Sequence, residues 1–202
     1  ISVSSPGHAD VHDIVYDPNV ANRVYAAHDG GVSVSNDGGA NFSTINSGLR
    51  ATQFYASFGV HPTNPDIMIG GLQDNGVVTY NGTSWSTAFG GDGGPSAIAP
   101  NGTTVLASND ARGVRLSTTG AGGAFGSVLT SWAFSADDRT GFMAPVAISK
   151  SDGNYMYVAT DNIHSSTTGG ASGSWSNAAS SSTNYIEQFR KTAITLSVSP
   201  TN

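Results

Sequence analysis

The sequence predicts an all-β chain built from four-stranded antiparallel units, the blades of a β-propeller. Three observations carry that prediction. The first is composition: charged residues make up only 11% of the 202, against a typical ~25%, and 26 residues are glycine. Ser, Thr, Asn and Gly stand where charge would be, which suits short strands joined by many turns. Glu187 is the only glutamate, so helix-forming residues are scarce. The second is the pattern of brief apolar runs that stop at Pro, Asn, Asp or Gly. The third is that this pattern repeats, as propeller blades do at roughly 40–50 residues. An acidic landmark after each second strand falls at Asp29, Asp74, Asp110 and Asp161, spaced 45, 36 and 51 residues apart.

Taken in order, residues 13–17 form an apolar strand that stops at Pro18-Asn-Val-Ala-Asn22, and 23–27 form a second that stops at Asp29-Gly-Gly. Residues 32–35 and 42–45 complete the unit. The next unit runs 54–60, a turn at Pro62-Thr-Asn-Pro65, then 67–69, Asp74-Asn-Gly76, 77–80, and a fourth strand led by Trp85. A looser copy follows through 96–99, 105–108, 114–117 and Phe125. Another follows through 143–148, 155–160, 163–166 and Trp175. Residues 192–199 begin a further copy. The expected boundaries are therefore a blade end and connection at 1–13, blades at 14–53, 54–94, 95–141 and 142–186, and the first strand of a further blade at 187–202. Ile1–Ser5 reads as a strand, not as a signal peptide. One blade cannot bury both faces of its sheet, so the recurring aromatics Phe42, Trp85, Phe125 and Trp175 are expected at inter-blade contacts. Four blades and part of a fifth imply a fragment, or part of a larger propeller of roughly seven or more blades.

Composition also excludes. The net charge is −6, with two lysines and six arginines, so a nucleic-acid partner is not expected, because phosphate neutralisation needs a basic stripe. There is no cysteine, which removes disulfides and thiol catalysis. No apolar run reaches the ~18 residues of a membrane span.

A short alternating run, Val32 to Ser35, sits between two Asp-Gly-Gly turns, and the most specific stretch is Ser35-x-Asp37-x-Gly39-x-x-Phe42. It resembles the Asp-box, also called the BNR repeat, with Asn41-Phe42 in place of Thr-Trp. His8-Ala-Asp10-Val-His12, Thr52-Gln-Phe-Tyr55 and Gly70-Gly-Leu-Gln-Asp-Asn-Gly76 add to the likeness. The chain thus resembles Asp-box propellers, the superfamily of sortilin-like receptors, xyloglucan-hydrolysing enzymes and sialidases, and in particular bacterial secreted members. The resemblance implies that the motif holds the turn between third and fourth strands, with Asp37 accepting backbone N–H groups and the aromatic packed beneath. The other blades lack that aspartate, so their turns are held some other way.

In an up-and-down blade the 1–2 and 3–4 turns share one end, and the 2–3 turn and inter-blade connections share the other. Asp29, Asp74, Asp110 and Asp161 therefore gather at the second end as candidate binding residues, with the connections carrying Asp10, Asp92, Asp137 and Asp138. Ligands of such folds often sit on one face. Asp10, Asp92, Asp137 and Asp138 are the candidate carboxylates for glycoside hydrolysis, which in inverting enzymes needs two carboxyls about 6.5–9.5 Å apart. In an extended segment His8, Asp10 and His12 would point the same way, a donor set suited to a divalent metal such as Ca or Zn. Asp92 or Asp29 would complete it, and His28 could join. The plainer reading of these residues is hydrogen bonding within loops. A sialidase would need clustered arginines and a Tyr–Glu pair, but Arg23, Arg50, Arg112, Arg115, Arg139 and Arg190 are scattered. Tyr55, Tyr80 and Trp132 could stack on sugar or pack in the core. Asn41, Asn81 and Asn101 are sequons in predicted turns. The functional expectation is an extracellular or cell-surface scaffold that binds glycan or an extracellular protein. The alternative is a polysaccharide-directed glycoside hydrolase.

Overall fold

A computed structural model describes residues 5–49, 52–110, 113–127, 139–178, 192–193 and 195–199. The chain divides into two compact units, Ile1–Gln53 and Phe54–Asn202. Sixteen strands form four antiparallel four-stranded sheets, and no helix occurs among the described residues. Each sheet is a propeller blade whose strands pair in chain order.

The first unit is one blade: β1 (Val11–Tyr16), β2 (Val24–His28), β3 (Gly31–Ser35) and β4 (Ser43–Thr44). In β2 and β3 every other residue is buried, so Val24, Ala26, His28, Ser33 and Ser35 lie inward, as the period of a half-buried strand requires. β1 begins two residues earlier than expected, within the segment read as a connection. It is exposed along its whole length, Ile14, Val15 and Tyr16 included.

The second unit holds three blades. The second blade is β5 (Phe54–Val60), β6 (Ile67–Leu72), β7 (Gly76–Asn81) and β8 (Trp85–Phe89). The third is β9 (Gly93–Ile98), β10 (Val105–Asn109), β11 (Gly113–Ser117) and β12 (Gly126–Ser127). The fourth is β13 (Val146–Ile148), β14 (Met156–Ala159), β15 (Ile163–Ser166) and β16 (Ser176–Asn177). β9 packs against β5 and β6 on one side and β13 on the other.

Two apolar cores join these blades face to face. Ile69 and Val77 of the second blade meet Val105 and Ala107 of the third, with Phe89 and Phe125 packed alongside. Leu106 and Val114 of the third meet Val146, Ile148, Met156, Val158 and Trp175 of the fourth. Close approach also demands glycine. A Cβ on Gly93 would collide with the Gly76 carbonyl, and one on Gly71 with the Gly93 backbone.

Three expectations are corrected. The predicted strand at 143–148 starts at Val146, because Pro145 has no N–H to give to the ladder, though its carbonyl accepts from Ala159 at 3.0 Å. Residues 192–193 and 195–199 form no strand. A first strand needs the second strand of its own blade, and Ala193 instead donates its N–H to the Thr160 carbonyl at 2.8 Å. Trp85 is 47% exposed and lies against Phe54 and Tyr80, outside either core, whereas Trp175 is buried as expected. Residues 1–4, 128–138 and 179–191 lie outside the described residues, and with them most of the segments expected to precede and follow the blades.

Leu106→Ala is expected to destabilise the chain by about 2–5 kcal/mol, the cost of a buried cavity. Trp85→Ala should cost clearly less. Urea denaturation of the two variants checks the ranking.

Candidate binding face

The aspartates of the 2–3 turns stand where the sequence places them, but they are tied to the chain. Asp110 donates its backbone N–H to the Asp92 carbonyl at 2.9 Å. Its carboxylate accepts the Asp92 N–H at 2.9 Å. Asp161 repeats this arrangement with Arg139: its N–H reaches the Arg139 carbonyl at 2.8 Å, and its carboxylate accepts the Arg139 N–H at 3.0 Å and Nε–H at 3.2 Å. Asp92 and Arg139 precede the first strands of the third and fourth blades. Each aspartate therefore latches the incoming chain to the 2–3 turn of the blade it enters. Asp92 in turn accepts the Asp74 N–H at 3.0 Å. In the first blade, Asp29 pairs with His12 at the start of β1.

Backbone conformation helps choose these residues. Asp74 and Asp110 have φ of 57° and 41°, the left-handed region that Asp and Asn tolerate better than other side chains. Gly91 is required beside the latch, since a Cβ there would strike the Asp110 carboxylate. A carboxylate oxygen that accepts an N–H is not the proton donor a hydrolase needs from it. Of the four candidate catalytic carboxylates, Asp92 is held this way and Asp137 and Asp138 lie outside the described residues.

Asp10 explains why the expected His8-Asp10-His12 convergence does not form. Its φ is 55° and that of Gly7 is 98°, so the segment is bent and the alternation of an extended strand does not apply. His8 stacks on His28, with ring centroids 5.5 Å apart and planes 12° apart. It also packs over Gly30, where a Cβ would reach its ring at 2.5 Å. His12 instead pairs with Asp29, and an Asp10 carboxylate oxygen lies within 4.8 Å of one from Asp29. Asp10 and Asp29 are thus the residues of this blade that could face a divalent ion. His8 belongs with His28.

His28 is buried, and its Nε2 meets Ser33 Oγ at 2.9 Å. Its Nδ1 is buried without a hydrogen-bond partner. Burial first, and then His8, pushes His28 below the ordinary histidine range, with Asp29 opposing. The fourth blade has the same pair in reverse: Thr160 Oγ1 and His164 Nε2 lie 3.1 Å apart. The strand registers match, since Ser33 pairs with Ala26 and His164 with Val158.

At the other end of the first blade, Asp37 sits between β3 and β4 as the resemblance implies. It accepts the Asn41 backbone N–H and side-chain Nδ2–H, both at 2.8 Å, and the Ser35 hydroxyl at 2.7 Å. Ser35 Oγ accepts the Gly39 N–H at 2.9 Å. Phe42 is half-buried. Asn41 side-chain and backbone donors, then Ser35, hold the Asp37 carboxyl down to about 2.

Two of the three blades without that aspartate keep the serine, a feature the sequence reading missed. Ser166 Oγ accepts the N–H groups of Thr168 and Gly170 at 3.3 and 3.0 Å, just as Ser35 serves Asp37 and Gly39. Ser117 accepts the Thr119 N–H at 3.3 Å. The following glycine then ties this turn to the 1–2 turn: Gly38 to Asn22 at 2.8 Å, Gly120 to Thr103 at 2.7 Å and Gly169 to Asn154 at 3.0 Å. These glycines have φ of 75°, 94° and 70°. The readable signal is Ser-x-Asp/Thr-Gly, at Ser35, Ser117 and Ser166. The second blade uses Asn81 instead, whose Oδ1 accepts the Thr83 and Ser84 N–H groups at 3.0 and 2.9 Å.

The remaining candidates serve packing or turns. Arg23 donates to Asn36 at 2.8 Å, and Arg115 lies over the Phe89 ring at 4.9 Å. With Arg139 on Asp161, the described arginines have separate tasks, and Arg50, Arg112 and Arg190 lie outside the described residues. Tyr55 meets Phe142 edge-on at 5.6 Å. Trp132 and Glu187 are likewise outside the described residues. Among the sequons, the Asn41 amide is taken by Asp37 and the Asn101 amide by Thr104 at 2.9 Å.

No protein-family model and no curated protein sequence matches the chain. Solved structures similar to it are propellers. The GH74 xyloglucanase from Xanthomonas campestris shares 16% identity at a TM-score of 0.47, over 79% of this chain and 28% of that one. The GH74 enzyme from Niastella koreensis shares 22% at 0.46, over 83% and 30%. YCF48 from Cyanidioschyzon merolae shares 16% at 0.39, over 87% and 61%. The chain thus spans under a third of the GH74 structures.

Two predictions follow from the charges and latches. Asp161→Ala should lower stability by about 1 kcal/mol, because the buried Asp161 carboxylate that ties the Arg139 N–H and Nε–H to the turn is lost. Denaturant unfolding checks it, with exposed Asp110→Ala costing less. Acid should weaken the fold in two stages. Neutral His28 favours the fold fully above its unfolded value of about 6.5, and this is lost as pH falls below it, because the unfolded chain takes up the proton more readily. Ionised Asp37 contributes fully above the unfolded value of about 4, and that contribution is lost as pH falls through about 2. Thermal melts against pH should show a smaller first stage in His28→Gln and a smaller second stage in Asp37→Asn.

Proposed function

We propose that this chain is part of an extracellular, sortilin-like Asp-box propeller that works as a binding scaffold for glycan or a partner protein. The observation that carries this reading is the latch. Asp92, Asp110 and Asp161, the carboxylates of the described turns best placed for chemistry, accept N–H groups of the chain. These carboxylates join the incoming chain to its turn, which suits the loops to holding a fixed contact surface. The Ser35–Asp37 turn supports the Asp-box assignment. The low charge and the abundance of Ser, Thr and Asn support an extracellular setting. Among the described residues no helix is long and apolar enough to cross a membrane. Asp10 and Asp29 are the residues to which a divalent ion such as Ca would bind if the scaffold uses one.

The test is a panel of polysaccharides and extracellular protein extracts presented to the protein. Retention without turnover, undiminished in Asp92→Asn, is the expected outcome. Release of reducing sugar that Asp92→Asn abolishes would replace the scaffold by the glycoside-hydrolase alternative.

A further inference from the structure

Between the second and third blades, at the end opposite the aspartate latches, lies a cleft of 490 Å³. That is within the range of about 300–1,000 Å³ usual for small-molecule sites. It is lined by the 1–2 and 3–4 turns of both blades and by the β7–β8 sheet between them. No Asp, Glu, Lys or Arg is among its lining residues.

Its polar groups are set by the turns. His61 Nδ1 accepts the N–H groups of Thr63 and Asn64 at 3.3 and 3.2 Å, so in the neutral ring the proton is on Nε2, and the cleft gains a donor. Thr79 and Ser86 place two hydroxyl oxygens 3.2 Å apart on the sheet wall. The hydroxyls of Tyr80 and Thr103 have no hydrogen-bond partner among the described residues. Ile67 and the Tyr80 ring add apolar surface. The opening depends on glycine: a Cβ on Gly102 would collide with His61 Nε2, and its φ is 72°. Across from it, Gly122 has nothing within 4 Å of its Cβ position.

We propose that this cleft binds an uncharged sugar residue of an oligosaccharide. An anion or cation entering it would lose hydration with no opposite charge to replace it. A purely apolar ligand would strand the hydroxyls and the imidazole N–H. A pyranose ring satisfies both demands, with hydroxyls on its rim for His61, Thr79, Ser86 and Thr103, and a C–H face for Ile67 and the Tyr80 ring. This deepens the scaffold reading by giving the glycan a place, and the place is not the aspartate-latched end.

The experiment is NMR titration of the whole chain with neutral gluco-, xylo- and galacto-oligosaccharides, and with galacturonate oligomers as the anionic comparison. The expected result is saturable shifts at His61, Tyr80 and Thr103 with at least one neutral oligosaccharide. Galacturonate should give none. Gly122→Tyr fills the cleft from an open, unstrained position and should weaken binding by about tenfold or more, equivalent to about 1.4 kcal/mol. Ser86→Trp, on the exposed strand β8, blocks the other wall and serves if the first variant does not fold. No shift with any neutral sugar, equal binding of galacturonate, or unchanged binding in the blocked variants would each overturn the proposal. Sugar binding that survives in both blocked variants and in Asp92→Asn would overturn this site while leaving the scaffold reading intact.

Discussion

A blade of four short strands has little to hold its first strand in place, and here that task falls to the 2–3 turn. The reciprocal bond between Asp110 and Asp92, and between Asp161 and Arg139, closes a ring through backbone N–H, backbone carbonyl and carboxylate. One side chain then fixes both the turn and the entry of the blade. The chain is thereby held at Asp92, one residue before β9 begins, and at Arg139 on the way to β13. Apolar burial supplies most of the stabilising free energy, and register follows from the inward-facing pattern together with the turns that the latches hold.

The two ends of a blade are held by different chemistry. At the 2–3 end the acceptor is a carboxylate. At the 1–2 and 3–4 end it is mostly a hydroxyl or amide oxygen, as in Ser117, Ser166, Asn81 and Asn101. Carboxylates serve there too: Asp17 accepts the Asn19 and Val20 N–H groups, Asp152 the Asn154 N–H, and Asp37 the Asn41 N–H. The 2–3 end of the second unit carries the latched carboxylates, and the opposite end holds a cleft between neighbouring turns. The buried pairs His28–Ser33 and Thr160–His164 lie between these ends. The same position in the repeat thus carries the polar contact in both orders.

Much of the architecture was legible in the chain. The spacing of apolar runs and turn residues placed nearly every strand within a few residues, and the landmarks Asp29, Asp74, Asp110 and Asp161 marked the 2–3 turns. Failures came where a local rule met backbone constraint. Alternation predicted a His8-Asp10-His12 convergence, but positive φ at Gly7 and Asp10 bends the segment. Apolar pattern predicted a strand at 192–199, but pattern alone does not provide a partner to pair with. The repeated serine was readable as Ser-x-Asp/Thr-Gly and was hidden by attention to the aspartate.

The sequence by itself determined the strand order, the turns and the all-β class, because these follow from periodicity and from the φ preferences of Gly, Asn, Asp and Pro. Only the tertiary structure decided what the acidic residues do. A carboxylate is a ligand, an acid or a latch according to which N–H groups lie within about 3 Å of it. For Asp110 and Asp161 those groups belong to residues 18 and 22 positions earlier, a proximity that no local pattern encodes.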